Sequence, residues 1–171
     1  TVDREGSVSI EGDMRALYTT MMYIRFLLLY TSKFELGKAL LIAIRYSVAR
    51  RQFKNISGKK EETKLWITDL ADEVVPSTVN HVCSFLLCPY GLGADDQMIE
   101  DAAKGEFGTL DIMHHYTSGM KSVFTQECYD SLILIRQSLG GAGYSAWSGI
   151  PHLIENYSPS TTFEGDNTVM A

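Results

Sequence analysis

Two short segments near the carboxy-terminal end of the chain carry the residue types that could do chemistry. A glycine-rich block, QSLGGAGYSAWSG, runs from Gln137 to Gly149, and TTFEGDN follows it. Glycines let a backbone approach a ligand closely and leave amides free to bind it. A glutamate such as Glu164 can act as a general base if a desolvated pocket holds it. Taken alone, such glycines are more typical of a helix C-cap, and a single glutamate is more typical of a solvated surface.

The four histidines and three cysteines do not have the spacing of a metal site. His81, Cys83 and Cys88 contain no CxxC pair, and the adjacent His114 and His115 would point to different faces of a helix. The sequence also lacks a G-x-S-x-G elbow, a Walker loop and a complete G-x-G-x-x-G. We therefore expect no bound metal and none of the common hydrolase, phosphate-loop or dinucleotide-binding signatures.

Composition indicates one compact domain that does not bind nucleic acid. The 171 residues include 15 basic and 21 acidic side chains, which give a net charge of −6. Such a balance argues against a protein that works by neutralising phosphates. The most apolar run, Ile24 to Tyr30, contains Arg25 and is far shorter than the roughly 20 residues of a membrane span. Three cysteines at irregular spacing favour free thiols.

The first part of the chain predicts a strand and then a long helix. Val2 to Ile10 alternates in part and predicts an edge strand or a hairpin arm. From about Met14 to Phe53 there is no proline and one glycine, so we expect a long helix that is either continuous or broken near Thr31 and Ser32. Asn55 to Lys64 indicates an exposed connection, and residues 66–94 have no clear assignment.

The second part predicts shorter elements around one more long helix. We expect a helix over 95–104, a long helix over 109–139 that stops at the following glycines, a loop over 144–149 and a short helix over 151–156. Asp166 or Asn167 is placed to cap a final helix. Because the chain begins in a predicted strand and ends just inside this helix, we expect it to be a segment of a longer protein.

Two apolar stripes at helical spacing predict that the first long helix is buried on two sides in a helical bundle, with a partner-binding surface as the alternative. The two stripes are Leu17, Met21, Ile24 and Leu28, and beside them Met22, Phe26 and Leu29.

In combination, the order and spacing of three segments resemble a known family. These segments are ARRQF (Ala49 to Phe53), QSLGGAGYSAWSG and TTFEGDNTVMA. Together with LYTTMMYIR and GEFGTLDIMHHYTSGMKSVFTQ, they resemble the acyl-CoA oxidases, which are relatives of the acyl-CoA dehydrogenases. The resemblance covers residues 1–65 and about 95–171, and SAWSG and FEGDNTVM are more similar to the oxidase branch than to the dehydrogenase branch.

The resemblance implies a fold, a reaction and a setting. The expected fold is an all-α helical bundle with a short N-terminal β element. Residues 1–12 would end a β-domain, and residues 13–171 would form a helical flavin-binding and dimerisation domain. The implied protein is a peroxisomal, homodimeric, FAD-dependent enzyme of fatty acid β-oxidation. It introduces a trans double bond between C2 and C3 of a fatty acyl-CoA and passes the electrons to oxygen.

The resemblance also implies roles for residues at matched positions. Glu164 matches the catalytic base, which we expect to lie beside the glycine-rich turn and the ARRQF helix end. The positions that contact FAD, commonly the FAD of the neighbouring subunit, are Arg50, Gln137, Gly140 and Gly141. The loop that touches the flavin near the glutamate comprises Asp166, Asn167 and Thr168, and the substrate-binding positions are Arg25 and Gly165. Arg51 is as basic as Arg50, and Arg25 is equally compatible with an interhelical ion pair.

Two alternatives remain open at the level of sequence. An acyl-CoA dehydrogenase would pass its electrons to a flavoprotein carrier rather than to oxygen. A non-catalytic helical module derived from an oxidase would serve a structural role. The second alternative rests on what the resemblance lacks, because the amino-terminal helical domain and most of the middle β-domain of the family are not represented. We expect the chain alone to bind FAD poorly.

Overall fold

The computed structural model describes residues 4, 6–8, 15–54, 60–62, 97 and 99–171. The first long helix, α1, spans Arg15–Ala49 without interruption. Of the two predicted alternatives at Thr31 and Ser32, the helix is continuous, and both hydroxyls donate to carbonyls one turn earlier, those of Leu27 at 2.9 Å and Leu28 at 2.8 Å. Hydroxyls satisfied in this way are compatible with a continuous helix.

A β-hairpin follows α1 directly. Strand β1 spans Arg51–Lys54 and strand β2 spans Lys60–Glu62, and they pair antiparallel. The helix therefore ends at Ala49 rather than at the predicted Phe53, and Arg50 is the single residue that connects the helix to the strand. The predicted exposed connection over 55–64 contains β2, while its other residues and the unassigned stretch 66–94 lie outside the described part of the chain.

The predicted N-terminal strand is not shown. Of residues 1–12, the structure describes Arg4 in a turn and residues 6–8, where Val8 forms a single bridge. These described residues do not amount to a strand.

The second long helix, α2, spans Gly108–Ser138, close to the predicted range, and residues 99–104 are helical as predicted. The following elements are α3 over Gly141–Tyr144, a 3₁₀ turn over Ala146–Ser148, α4 over Ile150–Tyr157, a second 3₁₀ turn over Ser158–Thr161 and α5 over Asn167–Met170. The predicted loop at 144–149 thus contains a 3₁₀ turn. Asp166 caps α5 by accepting from the Thr168 amide at 2.9 Å, which confirms one of the two predicted caps.

Helices α1 and α2 run parallel, as their packing shows. Early in α1, Met22 and Phe26 pack with Leu110 and Met113 at the start of α2. Late in α1, a second cluster joins the helix to the end of α2 and to α4; it contains Leu36, Ala39, Leu40 and Ala43 with Cys128, Leu132, Ile135, Leu139, Ile150 and Tyr157. The carboxyl ends of both long helices therefore lie at the same end of the bundle.

Burial along α1 confirms one predicted stripe and corrects the other. Met22, Phe26 and Leu29 are buried, as is Leu28. Leu17 is 62% exposed, so the predicted stripe that begins with it does not reach the core at that end. In the described part of the chain, the longer helices are not apolar enough to cross a membrane. Cys128 is a free, buried thiol.

Candidate active site

Glu164 lies in a tight turn between the second 3₁₀ turn and α5. Its backbone has a φ of 58°, and it is the one non-glycine residue with positive φ among the described residues. This left-handed conformation costs roughly 1–2 kcal/mol for a residue with a side chain. Gly165 follows with a φ of 112°, and a Cβ there would stand 2.5 Å from the Met170 sulfur. The turn requires surrounding contacts to keep it in this shape.

Arg25 supplies one of those contacts from α1. Its Nε donates to the Glu164 carbonyl oxygen at 2.9 Å. Its Nη1 lies 3.1 Å from the Ser118 hydroxyl and 3.3 Å from Nδ1 of His114, both on α2. The Arg25 side chain is 4% exposed, so it lies beneath the turn and its donors are used within this chain.

Lys121 supplies the second contact from α2. Its ammonium donates to the Gly165 carbonyl, and to the Asn167 side-chain oxygen at 2.9 Å. Lys121 is 0% exposed and was not among the site residues predicted from the sequence. A signal was present, because Lys121 stands one helical turn from Thr117 and one from Thr125, on the stripe of α2 that is buried. A lysine on a buried stripe is uncommon and indicates a specific partner.

Asn167 is bound to α2 by two residues, Lys121 and Thr125. Its side-chain nitrogen lies 3.0 Å from the Thr125 hydroxyl, which itself donates to the Lys121 carbonyl at 2.7 Å. Thr125 is completely buried, so water cannot replace the Asn167 amide as the partner of its hydroxyl. Of the predicted loop residues, Asn167 is therefore the one tied to the helix, while the Asp166 and Thr168 side chains are exposed.

Two buried cations beneath one turn give the site its electrostatic character. Burial lowers the pKa of Arg25, and the charge of Glu164 opposes that shift. Burial also lowers the pKa of Lys121, which Arg25 lowers further while Asp166 and Glu164 oppose the change. Buried cations of this kind are stabilised by hydrogen bonds and by nearby negative charge. The Glu164 carboxylate is the half-buried negative group above them.

The other predicted site residues lie at the far end of the bundle. Arg50 follows the last turn of α1, and Gln137 lies in the last turn of α2. Gly140 adopts a φ of 58° and its amide donates to the Gln137 carbonyl at 2.9 Å, so it turns the chain out of the helix as the glycine pattern predicts. Arg50, Gln137, Gly140 and Gly141 are all exposed.

Gly143 has a different function from the one that the glycine pattern suggested. A Cβ at this position would lie 2.1 Å from the Arg136 carbonyl oxygen. The close approach is therefore between α3 and the backbone of α2, rather than between the turn and a ligand.

Within one chain, the structure does not bring the two groups of predicted residues together. Lys121, beneath the Glu164 turn, and Gln137 are 16 residues apart on α2, which corresponds to about 24 Å. Arg25 and Arg50 are 25 residues apart around α1, which corresponds to about 37 Å. Glu164 is thus half-buried, as a general base requires, but it is remote from the glycine-rich turn of its own chain.

Comparison with known proteins decides the family. A sequence profile described as "Acyl-CoA oxidase, C-alpha1 domain" matches residues 18–171, which is most of the chain. The chain belongs to the acyl-CoA oxidase family. A peroxisomal acyl-coenzyme A oxidase 1 of Dictyostelium discoideum is 30% identical over 171 residues, covering 99% of this chain and 24% of that protein.

Solved structures of the family share the fold. Acyl-CoA oxidase 1 of Arabidopsis thaliana is 32% identical with a TM-score of 0.79, and the match covers 99% of this chain and 26% of that one. Acyl-CoA oxidase-2 of Caenorhabditis elegans, solved with FAD, ascaroside-CoA and ATP, is 27% identical with a TM-score of 0.83 over the same shares of the two chains. The fold is therefore that of an acyl-CoA oxidase helical domain. The chain spans about a quarter of the length of these relatives.

Proposed function

We propose that this chain is part of an FAD-dependent acyl-CoA oxidase that forms the trans double bond between C2 and C3 of a fatty acyl-CoA, with Glu164 as the base. The observation that carries the proposal is the Glu164 turn. A glutamate is held in a left-handed conformation by two buried cations from different helices, at the position where the family resemblance puts the base. Such an arrangement serves to orient a carboxylate rather than to solvate it.

The chemistry required of this chain is removal of a proton from the α-carbon. The Glu164 carboxylate takes that proton, and a hydride equivalent leaves the β-carbon, so that the C2–C3 bond becomes double. Bound FAD would accept the hydride and pass the electrons to oxygen, giving hydrogen peroxide. A half-buried carboxylate that the turn holds in one direction is suited to this step, because a general base must be positioned towards the proton that it removes.

The far end of the bundle offers a donor set that fits FAD. A guanidinium at Arg50 pairs well with a pyrophosphate, and the Gln137 amide and the open backbone at Gly140 and Gly141 can contact a ligand closely. Among the described residues, a Cβ at Gly141 would meet no atom within 4 Å, so none of them packs against this position. Because Lys121, which contacts the Glu164 turn, is about 24 Å from Gln137 along α2, these residues would serve the flavin of a second subunit in a homodimer.

The domain and cellular assignments follow the same proposal. Residues 13–171 would form the helical flavin-binding and dimerisation domain, and residues 1–12 the end of a β-domain. The curated relatives are named peroxisomal, which supports a peroxisomal role in fatty acid β-oxidation. Arg25 and Gly165 would act at the substrate side of the turn, with Asp166, Asn167 and Thr168 near the flavin.

The test is the Glu164→Gln substitution in the full-length protein loaded with FAD. Glutamine keeps the size of the side chain but does not accept the proton, so acyl-CoA turnover should fall by roughly a thousandfold or more while the flavin absorbance stays unchanged. Glu155→Gln is the matched control, because the Glu155 side chain is 81% exposed and its ion-pair partner is His152 on the same helix. Undiminished turnover by Glu164→Gln, measured as acyl-CoA-dependent peroxide release, would reject the assignment.

The same assay separates the nearest alternative. An oxidase releases one peroxide for each enoyl-CoA formed, whereas a dehydrogenase reduces an added electron acceptor and releases little peroxide. A second candidate is a non-catalytic helical module derived from an oxidase, and purified protein that is colourless and inactive would support it.

A further inference from the structure

We propose that Lys121 is a positioning residue for the Glu164 base, acting through the carbonyl of Gly165. This inference rests on the proposed function of Glu164 and goes beyond it, because Lys121 belongs to none of the residues that the sequence pointed to. The observations that carry it are the conformation of the turn, the partners of the lysine and the cost of burying it.

The turn has two successive residues with positive φ, Glu164 at 58° and Gly165 at 112°. The first of these is unfavourable for a residue with a side chain. Rotation of either peptide plane back to an ordinary conformation would swing the Glu164 side chain away from its present direction. Whatever fixes the two carbonyl groups therefore also fixes the direction of the carboxylate.

Two cations fix these carbonyls. Arg25 donates to the Glu164 carbonyl at 2.9 Å, and Lys121 donates to the Gly165 carbonyl. They come from α1 and α2 respectively, so the turn is attached to both long helices at once. Two hydrophobic clusters pack α1 against α2, so the two helices hold the turn as one unit.

The partners of Lys121 indicate a specific purpose. Among the described residues, its ammonium donates to the Gly165 carbonyl and the Asn167 side-chain oxygen, and neither acceptor is a carboxylate. A lysine with no exposed surface and no direct ion pair is expensive to bury. For the stability of the fold alone, an apolar residue of similar volume would be more favourable at this position. The charge is explained if it holds the turn and places positive potential beneath a carboxylate that must be ionised to act.

The partner Asn167 makes the arrangement rigid. Thr125, one turn beyond Lys121, contacts the Asn167 amide at 3.0 Å, and the amide oxygen accepts from Lys121. Lysine, asparagine and threonine thus form a closed set of contacts that leaves the ammonium one principal direction, towards Gly165. A flexible lysine would not hold a carbonyl in place, whereas the contact with Asn167 restricts the Lys121 ammonium to one position.

The experiment is a double-mutant cycle in the full-length FAD-loaded enzyme. Lys121→Met removes the charge and the donor but keeps much of the volume. We expect kcat to fall about a hundredfold, which is the order of effect of a small misplacement of a catalytic group, while KM and the FAD content change by less than about twofold. In the Glu164→Gln background, Lys121→Met should cause no further loss, because there is no base left to position.

Lys38→Met is the matched control, since Lys38 is an exposed lysine whose partner is Glu35 on the same helix. It should leave kcat within about twofold. A second readout does not depend on catalysis: in Lys121→Met, hydrogen exchange of the amides over residues 164–168 should be at least roughly tenfold faster, with exchange in the middle of α2 unchanged. If Lys121→Met does not fold, Asn167→Ala replaces it, with an expected fall of about tenfold in kcat.

The outcomes separate this inference from the proposed function. Loss of activity in Glu164→Gln with normal kcat and normal exchange in the lysine variant would overturn the role of Lys121 and leave the base in place. A loss from Lys121→Met that multiplies with the loss from Glu164→Gln would also overturn it, because the lysine would then act independently. Full activity in Glu164→Gln would reject the base, and the positioning role would fall with it.

Discussion

The two regions that carry the predicted site residues are built in opposite ways. Around Glu164, the polar groups of the helices are turned inwards, and two buried cations contact the backbone of the turn. At the carboxyl ends of α1 and α2, Arg50, Gln137 and two glycines are exposed. The first region is held by contacts within its own chain, whereas the second lies at the surface. This difference supports our proposal that one region orients a reacting group and that the other binds a ligand.

The largest expected effect concerns the glycines of the exposed end, which are not equivalent. Gly143→Ala would place a Cβ 2.1 Å from the Arg136 carbonyl oxygen, so the backbone of α2 or α3 must move. We expect the free energy of unfolding to fall by about 3 kcal/mol or more, measured by chemical denaturation of the FAD-free protein.

The matched control for that change is Gly141→Ala. A Cβ at Gly141 meets no atom within 4 Å, so stability should stay within about 0.5 kcal/mol of wild type. FAD affinity should nevertheless fall in this variant if the turn contacts the flavin. Equal destabilisation by the two substitutions would show that the glycine-rich block is a simple helix end, with no distinction between packing and binding positions.

A smaller effect is expected in the Glu164 turn. Gly165→Ala forces a side chain into a φ of 112° and towards the flexible Met170 side chain, which can move aside. We therefore expect a loss of roughly 1–2 kcal/mol from backbone strain, together with a larger fractional loss in kcat. Gly119→Ala, at an exposed position inside α2, should instead stabilise the protein by about 0.5–1 kcal/mol, since alanine favours a helix.

The smallest effect concerns the core that separates the two regions. Burial raises the pKa of the Cys128 thiol from 9.0 to about 12. The unfolded chain therefore loses this proton at lower pH than the folded chain does, and stability falls as pH rises above 9. Between pH 8 and pH 10 the thiol should account for about 1.4 kcal/mol of lost stability. Burial also raises the pKa of Tyr157, which adds to the loss at higher pH.

Cys128→Ala checks this prediction. The variant should be less stable at pH 7, because it leaves a small cavity, but its decline between pH 8 and pH 10 should be shallower than that of wild type by the amount given above. Parallel pH curves for the two proteins would mean that the Cys128 thiol does not titrate differently in the folded and unfolded chain.

The elements of the fold were largely predictable because their signals are local. Long stretches without proline predicted α1 and α2. The glycines at 140 and 141 predicted the end of α2 to within two residues. A break in α1 near Thr31 and Ser32 could be neither predicted nor excluded from the sequence, because hydroxyl groups can bond within a helix as well as disrupt it. The hairpin after Ala49 has few residues and no strong alternation, so no pattern indicated it.

The candidate site was predictable only where a motif carried it. Glu164 and the exposed residues at the helix ends came from the resemblance, and the chain does belong to that family. Lys121 was missed because a lysine in an amphipathic helix is ordinarily a surface residue, and its burial depends on the position of a turn more than forty residues away. The separation of Glu164 from the glycine-rich turn was missed because only the parallel packing of α1 and α2 reveals it.

The central claim is that Glu164 acts with the exposed end of a second subunit, so a complementation experiment tests it most directly. Full-length Glu164→Gln and Arg50→Met chains, each expected to be inactive or nearly so alone, are co-expressed with different tags, and the mixed dimer is isolated. One of its two sites then combines an intact Glu164 with an intact Arg50, so we predict about half of the wild-type peroxide release. A mixed dimer as inactive as the two parent proteins would contradict the claim.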